Sequence, residues 1–188
     1  MNDKKIGVVY FSKTGATKLV AQNIVEGIEH HPQVSSISIE ILPSEIVEGR
    51  YINQEKIEQL NDCDAILFGS PTYMGSPSAQ FKSFMDASSE QYCRKAWRNK
   101  LAGGFTTGGS INGEQQQTLL SFFALACQHG MLWVGLDASK HTDDLGLNRT
   151  GSNIGLVSSA GEESLIHEND LQTAFYYGDR FAQLVCAK

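Results

Sequence analysis

Three short segments of this sequence combine hydroxyl-bearing residues with glycine, a composition suited to binding phosphate and polar ring edges. The first segment consists of Ser12, Lys13, Thr14, Gly15, Ala16 and Thr17. A helical pattern follows it, so its hydroxyl and N–H groups would surround an anion at a helix N-terminus, where the helix dipole favours a phosphate dianion. Such residues also commonly cap helices, and that alternative stays open. The Gly-x-x-x-x-Gly-Lys-Ser/Thr and Gly-x-Gly-x-x-Gly patterns are absent from the sequence, which argues against a nucleotide-triphosphate loop and a dinucleotide fingerprint.

Two later segments offer a flat aromatic surface and a row of backbone amides. The second segment consists of Pro71, Thr72, Tyr73, Met74 and Gly75, and the third of Thr107, Gly108, Gly109, Ser110 and Asn112. Tyr73 supplies the aromatic ring, and Gly75 permits a backbone conformation that is closed to other residues. Taken singly, each segment reads as an ordinary turn. Taken with the first segment, they predict a phosphate pocket joined to a pocket for a planar heteroaromatic ring.

The elements that must position these segments alternate between strands and helices. The predicted strands, four continuous apolar runs and one alternating run that reads as an edge strand, span residues 6–11, 36–41, 65–69, 101–106 and 131–136. The main predicted helices span residues 17–30, 114–129 and 171–185. This order predicts an α/β fold in three layers: a doubly wound, five-stranded parallel sheet of strand order 2-1-3-4-5, in a single domain over residues 1–188. Ligands bind such sheets outside the carboxyl ends of the strands, so we expect all three segments on one rim.

Composition narrows the class of protein further. The 188 residues carry a net charge of -6 without a Lys/Arg block, which argues against nucleic-acid binding. No apolar run is long enough to predict a membrane span. Four scattered cysteines, Cys63, Cys93, Cys127 and Cys186, favour reduced thiols in a cytoplasm. The five histidines show no zinc-ligand spacing with these cysteines, so we expect no metal site.

Several motifs resemble those of known flavoproteins. The segment Ser12 to Thr17 resembles the first loop of flavodoxin-like proteins. Residues 69–75 (GSPTYMG) and 80–86 (QFKSFMD) resemble the WrbA-type NAD(P)H:quinone oxidoreductases, as do the shorter matches at residues 100–102, 107–109, 114–118 and 129–131. The resemblance covers nearly the whole chain and implies a flavodoxin-like fold with non-covalently bound FMN. It implies that the first segment holds the phosphate, that Pro71 to Gly75 borders the isoalloxazine, and that Thr107 to Asn112 meets its pyrimidine edge.

The resemblance also implies residues near the flavin from other parts of the chain. Gln128 or His129 would lie beside it, although a lone histidine at a helix C-terminus is more often a cap or a dipole partner. Tyr92 stands where relatives carry a substrate-facing tryptophan, often across a subunit contact, with Trp97 nearby. We therefore expect Tyr92 and His129 to be the catalytic side chains, in a homo-oligomer (dimer or tetramer).

Three classes of function follow from these features. The first is an FMN-dependent oxidoreductase that passes electrons from NADH or NADPH to a quinone or a similar small molecule. The second is a flavodoxin-type carrier that shuttles single electrons between protein partners, although carriers tend to be more acidic than this chain. The third is a binding module that keeps the fold without flavin. The long segment from Asp137 to His167 fits an enzyme that builds a substrate pocket, so we favour the oxidoreductase.

Overall fold

The computed structural model describes residues 4–139, 141–161 and 165–188. The strands are β1 Lys4–Tyr10, β2 Val34–Glu40, β3 Ile46–Val47, β4 Arg50–Tyr51, β5 Ala65–Tyr73, β6 Ser76–Pro77, β7 Leu101–Gly108, β8 Leu132–Trp133 and β9 Leu156–Ser159. The helices are α1 Ala16–Glu29, α2 Gln54–Glu58, α3 Ala79–Ala87, α4 Ser89–Arg94, α5 Gln115–Gln128 and α6 Glu168–Ala187, with 3-10 turns at Pro43–Glu45 and Gln59–Asp62.

The main sheet is parallel through its centre and runs in the order β2-β1-β5-β7-β8. The five predicted strands correspond to β1, β2, β5, β7 and β8, so this order is the predicted 2-1-3-4-5. The alternating strand β2 lies at one edge, as its pattern predicted. The short strand β6 folds back antiparallel on the end of β5, and β3 and β4 form a separate hairpin. The predicted doubly wound α/β fold is confirmed.

Side chains of the central strands alternate between two apolar cores. Val9 and Phe68 pack with Phe81 of α3 and Phe122 of α5 on one face of the sheet. On the other face, strand residues including Ile6, Val8, Leu67 and Phe105 pack with α1 and α6. The sheet is therefore the middle of three layers. No helix of the described ranges has both the length and the apolar character needed to cross a bilayer.

The fifth strand position differs from the prediction of a continuous strand over residues 131–136. Only Leu132–Trp133 forms a strand there, beside Leu101 and Ala102 of β7. Further along, the Leu136 amide donates to the carbonyl of Asn153, which lies shortly before β9 in the chain. The residues directly after Val134 therefore do not pair with the carboxyl half of β7. The strand β9 then takes the place beside the carboxyl half of β7. Part of the long segment from Asp137 to His167 thus belongs to the sheet.

Candidate functional site

The three glycine- and hydroxyl-rich segments meet at the carboxyl end of the sheet. Residues 11–15 connect β1 to α1, residues 74–75 form the turn between β5 and β6, and residues 109–114 connect β7 to α5. A hydrogen bond of 2.7 Å between the hydroxyls of Thr17 and Thr107 ties the first segment to the third. Parallel strands place their carboxyl ends at one edge, so the predicted common rim follows from the strand directions.

The first segment leaves the start of α1 open towards solvent. Gly15 occupies the N-cap position with φ +94°, a conformation that disfavours any residue with a side chain, so the N-cap residue itself offers no capping group. The Ser12 hydroxyl accepts the Lys18 amide at 3.2 Å. Uncapped amides at a helix N-terminus attract anions because the helix dipole places partial positive charge there.

Individual members of the first segment differ in exposure. Lys13, Thr14 and Gly15 are exposed, Ser12 is half-buried, and Ala16 and Thr17 are buried beneath the loop. The Thr17 hydroxyl already contacts Thr107, so its role in this structure is to join two loops. The exposed hydroxyl and amide groups are therefore concentrated in residues 12–15. Lys13 is an exposed cation in this loop, whereas Lys18 forms an ion pair with Glu40 at 2.8 Å.

The second segment is a tight hairpin turn with an unusual backbone. Thr72 pairs with Pro77 and Tyr73 with Ser76, which leaves Met74 and Gly75 as the two turn residues. Both have positive φ, +49° and +73°, as a type I′ turn requires. A methionine in this conformation is uncommon, and its side chain is fully exposed. The turn therefore presents an apolar side chain and a strained backbone at the rim.

Hydroxyl groups beneath this turn form a connected chain. The Thr72 hydroxyl lies 2.8 Å from those of Thr106 and Thr118, and the Thr106 hydroxyl donates to the Ser70 carbonyl at 2.7 Å. This chain connects β5, β7 and α5 below the rim. Pro71 and Thr107 are buried within the strands themselves, because β5 and β7 extend further towards the rim than the apolar runs indicated.

A cavity of about 450 Å³ lies between the second and third segments. Its lining consists of Thr72, Met74, Gly75, Gly108, Gly109, Ser110, Asn112, Glu114 and Gln115. Seven of these nine residues are among those that the sequence predicted, and the structure brings them together. Tyr73 stands beside them and is 44% exposed. Burial raises the pKa of the Tyr73 phenol above its ordinary value.

Gln115 is a lining residue that sequence reasoning missed as a site residue. Its side-chain amide donates to the Ser110 carbonyl at 2.5 Å and reaches the Asn112 carbonyl at 3.5 Å. Its Oε1 atom is buried without a hydrogen-bond partner among the described residues. The sequence signal that could have identified Gln115 is the match to the WrbA-type proteins at residues 114–118. That match supported the family resemblance but assigned no role to these residues. Gln115 holds the third segment in shape from below.

The third segment is also attached to the long segment after β8. Asn112 donates to the carbonyl of Thr150 at 2.9 Å, and Gln116 donates to the Ser152 hydroxyl at the same distance. These bonds make residues 150–152 a support for the cavity wall. Part of the segment from Asp137 to His167, namely residues 140 and 162–164, lies outside the described residues.

Tyr92, Gln128 and His129 lie at the opposite end of the sheet. They line a second cavity of about 370 Å³ together with Cys93, Lys95, Arg98 and Gly130. Helix α5 begins at the rim and runs back along the sheet, so its C-terminal residues lie near the start of β7, where Asn99 donates to the carbonyl of Gly130. Within one copy of the chain, the structure does not bring these three residues to the rim cavity.

His129 is packed as a neutral core residue. It is 5% exposed, its ring stacks on Trp97 with centroids 4.3 Å apart, and its Nε2 is hydrogen-bonded to the Ser88 hydroxyl at 3.0 Å. Burial lowers the pKa of His129 to about 4. The Tyr92 ring stands edge-on to it at 6.0 Å and is 53% exposed. A histidine this deeply buried does not act as a charged partner of the α5 dipole at neutral pH.

Comparisons with known proteins agree with this geometry. A family model described as NADPH-dependent FMN reductase matches residues 5–139. A protein named Flavodoxin FldP from Pseudomonas aeruginosa is 37% identical, and the alignment covers 96% of each chain. A protein named NAD(P)H dehydrogenase (quinone) from Caulobacter vibrioides is 32% identical over 95% of this chain and 96% of its own. The solved structure of a flavodoxin, WrbA-like protein from Agrobacterium tumefaciens matches with a TM-score of 0.76 and 35% identity, covering 98% of both chains.

Proposed function

Because the chain belongs to the NADPH-dependent FMN reductase family, we propose that it is an FMN-dependent oxidoreductase that carries electrons from NADH or NADPH to a quinone or a similar small acceptor. The observation that carries this proposal is the rim cavity of about 450 Å³, whose third-segment wall is tied through Thr107 and Thr17 to the N-terminus of α1, where the N-cap residue has no side chain. FMN, when bound, supplies the redox chemistry, since its ring accepts hydride from a nicotinamide and delivers two electrons to an acceptor. The protein contributes binding, orientation and exclusion of water.

The residues of the first segment fit the phosphate of FMN. Ser12 and Thr14 offer hydroxyls, and the exposed Gly15 leaves room for an anion because no atom lies within 4 Å of where its Cβ would stand. The first-turn amides of α1 add donors, and the macrodipole favours a dianion at this end. We assign the phosphate to Ser12, Lys13, Thr14, Gly15, Ala16 and Thr17, with Thr17 acting through its bond to Thr107.

The rim cavity fits a planar ring between two backbone walls. The Met74–Gly75 turn forms one wall, and the amides of Gly108 and Gly109 form part of the other. Backbone N–H groups held in place before reaction stabilise negative charge without reorganising, so these amides would favour the electron-rich form of a ring edge. We assign ring binding to Pro71, Thr72, Tyr73, Met74 and Gly75 on one side, and to Thr107, Gly108, Gly109, Ser110 and Asn112 on the other.

An electron carrier is the second candidate, favoured by the relative from Pseudomonas aeruginosa that is named a flavodoxin. Two observations support the enzyme instead. The net charge of -6 is mild for a carrier that docks through an acidic surface. The cavity wall is also braced from the long segment after β8, because Asn112 donates to the Thr150 carbonyl and Gln116 of α5 donates to the Ser152 hydroxyl.

Three further features belong to the proposal. The chain acts as one FMN-binding domain in a homo-oligomer, because only another copy could bring Tyr92, Gln128 or His129 to a rim cavity. It works in the cytoplasm, which its four free thiols support.

Its acceptor is a quinone-type molecule, and the apolar side chains of Met74 and Ile111, both exposed beside the cavity, would contact such a ring.

Steady-state oxidation of NADH and of NADPH with a benzoquinone tests the proposal. The FMN-loaded protein should turn over with a benzoquinone alone, well above the rate of free FMN at equal concentration. A carrier would show no such turnover until a partner reductase is added. Protein that takes up no FMN, measured as unquenched flavin fluorescence on titration, would contradict both candidates.

A further inference from the structure

We propose that His30, His31 and Asp179 form a binding site for a divalent transition-metal ion, Zn²⁺ being the best fit, that joins α1 to α6. The nitrogen Nε2 of His31 lies 2.7 Å from Oδ1 of Asp179, and Nδ1 of His30 lies 3.3 Å from the same oxygen. All three ligand atoms lie within 4.8 Å of one another. This site is separate from the rim cavity and independent of the flavin chemistry.

The two nitrogen–oxygen distances, 2.7 and 3.3 Å, are near those around a tetrahedral zinc ion, and the two nitrogens lie within 4.8 Å of each other. Zinc bonds to imidazole nitrogen and carboxylate oxygen are about 2.0–2.2 Å long, which places neighbouring ligand atoms roughly 3.3 Å apart. The His30 contact already has this length, and the His31 contact needs to open by about half an ångström, a small side-chain rotation. His30 is largely exposed, so water can reach the fourth position. Two nitrogens and one carboxylate oxygen suit zinc and, by the usual affinity order, copper and nickel.

The carboxylate of Asp179 is held in the orientation that a metal ligand needs. Gln183 donates to Oδ2 of Asp179 at 2.6 Å, while both imidazoles face Oδ1. A hydrogen bond to the second oxygen of a ligating carboxylate fixes its direction, as partners of metal ligands commonly do. The ring of Phe175 packs against His30 with centroids 5.8 Å apart and limits its rotation.

The two helices beside the ligands are in direct backbone contact: Asp179 lies on α6, and His30 and His31 directly follow the last residue of α1. A Cβ at Gly27 would lie 2.0 Å from the Phe175 carbonyl oxygen, and a Cβ at Gly178 would lie 2.0 Å from the Ile24 carbonyl oxygen. Only glycine allows this approach, which occurs within one turn of His30 and Asp179. The relative position of the ligands is thereby set by a rigid crossing of helices, the kind of support that makes a site pre-organised.

The proposed metal site lies far from the proposed phosphate loop. It lies at the C-terminal end of α1, and the phosphate loop lies at the N-terminal end, 14 residues or about 20 Å away. A metal here would therefore clamp the helix layer and leave FMN binding unchanged. A proton shared between the imidazoles and Asp179 would also satisfy this geometry, and the experiment must separate a metal from a proton.

The test is a Zn²⁺ titration of untagged protein after removal of metal with EDTA. Calorimetry should show one high-affinity Zn²⁺ per chain, Co²⁺ should give the visible absorption of a tetrahedral site, and Zn²⁺ should raise Tm by several degrees. His31→Ala and Asp179→Asn should each weaken Zn²⁺ binding by at least about tenfold and abolish the Tm shift, with FMN affinity unchanged. Retained FMN affinity also shows that each variant is folded.

His141→Ala is the matched control, because it removes an exposed histidine from a loop outside the cluster. It should bind Zn²⁺ as the parent does. Cys186→Ser serves the same purpose for a thiol on α6, since cysteine is itself a strong zinc ligand. The proposal is overturned if the parent binds no Zn²⁺ at micromolar concentrations, if either ligand variant binds as the parent does, or if binding is lost in Cys186→Ser instead.

Discussion

The rim cavity and the cavity around His129 lie at opposite ends of the same strand and are built in different ways. The cavity at the carboxyl end of β7 is lined by glycine backbone and by short hydroxyl and amide side chains. The cavity at the amino end is lined by longer side chains, among them Lys95, Arg98, Tyr92 and His129. With 8 residues, β7 separates the two by about 26 Å.

This difference matters for how each region recognises a ligand. Apart from a change to proline, a point substitution leaves the backbone N–H groups of a turn in place, so the rim depends on loop shape and on the glycines that permit it. Side chains at the amino end can be exchanged without changing the backbone. Substitutions should therefore affect the rim through conformation and charge, and the amino end through the particular group that is removed.

The largest effect is expected for Gly15→Asp at the rim. The new carboxylate would stand at the start of α1, cap the free amides and repel the phosphate of FMN, so FMN affinity should fall by at least about a hundredfold. The fold should persist despite the strain of a positive φ, because Gly15 is exposed and no atom lies within 4 Å of where its Cβ would stand. Fluorescence titration of the flavin measures the affinity, and circular dichroism checks the fold.

Gly130→Asp is the matched control for this prediction. Gly130 also has positive φ, +69°, so the substitution adds the same charge and comparable backbone strain at the amino end. FMN affinity should stay within about twofold of the parent, as expected for a charge more than a Debye length away. An equal loss in both variants would mean that net charge or strain, rather than the phosphate loop, is responsible.

The next largest effect concerns stability at the amino end. Burial lowers the pKa of His129 to about 4, below the value of about 6.5 in an unfolded chain. As the pH falls, His129 therefore gains a proton in the unfolded chain before it does so in the folded chain. Its contribution to the free energy of unfolding is fully present above pH 6.5 and is lost progressively towards pH 4. Between pH 7 and pH 5 this group should reduce the free energy of unfolding by about 2 kcal/mol.

His129→Gln removes this titration and keeps a side chain able to bond Ser88. Urea unfolding at pH 7 and pH 5 should show a smaller loss of stability in this variant than in the parent. His141→Gln, at an exposed position, should keep the parent's pH dependence. Equal pH dependence in the parent and in His129→Gln would show that His129 is accessible to protons in the folded chain.

Gln115→Leu should produce a smaller loss, at the rim. Leucine fills a similar volume but cannot donate to the carbonyls of Ser110 and Asn112, so the third segment would lose its support. FMN affinity should fall roughly tenfold, the equivalent of one buried hydrogen bond. Gln117→Leu, two residues along the same helix and exposed, should bind FMN as the parent does.

The sequence predicted the rim well because the rim depends on local signals. Apolar runs predicted β1, β5 and β7, and the segments that follow them necessarily share one edge of a parallel sheet. Their glycines stand where the backbone needs positive φ, as at Gly15 and Gly75. Loop composition and strand direction together were enough to assemble most of the cavity lining.

Features made by distant parts of the chain could not be predicted in this way. The strand β9 replaces the second half of the expected fifth strand, a choice that depends on pairing between Leu136 and Asn153. The cluster of His30 and His31 with Asp179 joins residues 148 positions apart. The zinc-ligand spacings that involve histidine and cysteine could not indicate this cluster. The contact between α1 and α6 that brings the Asp179 carboxylate to the histidines produces no periodic pattern in the sequence.

The smallest effect should come from Tyr92→Ala at the amino end. Tyr92 is half exposed and cannot reach the rim cavity of its own chain, so FMN affinity should be unchanged. If a second copy brings it beside the acceptor, kcat/KM for a benzoquinone should fall about threefold, the order expected for one lost aromatic contact. The loss should appear only at protein concentrations where sedimentation detects an oligomer, because dilution to single chains removes the contact in both the parent and the variant.

Cys93→Ser changes a neighbouring exposed residue in the same cavity and controls for a general disturbance of α4. A loss that is independent of concentration would mean that Tyr92 acts within its own chain, and the separation of the two cavities would then no longer divide binding from turnover.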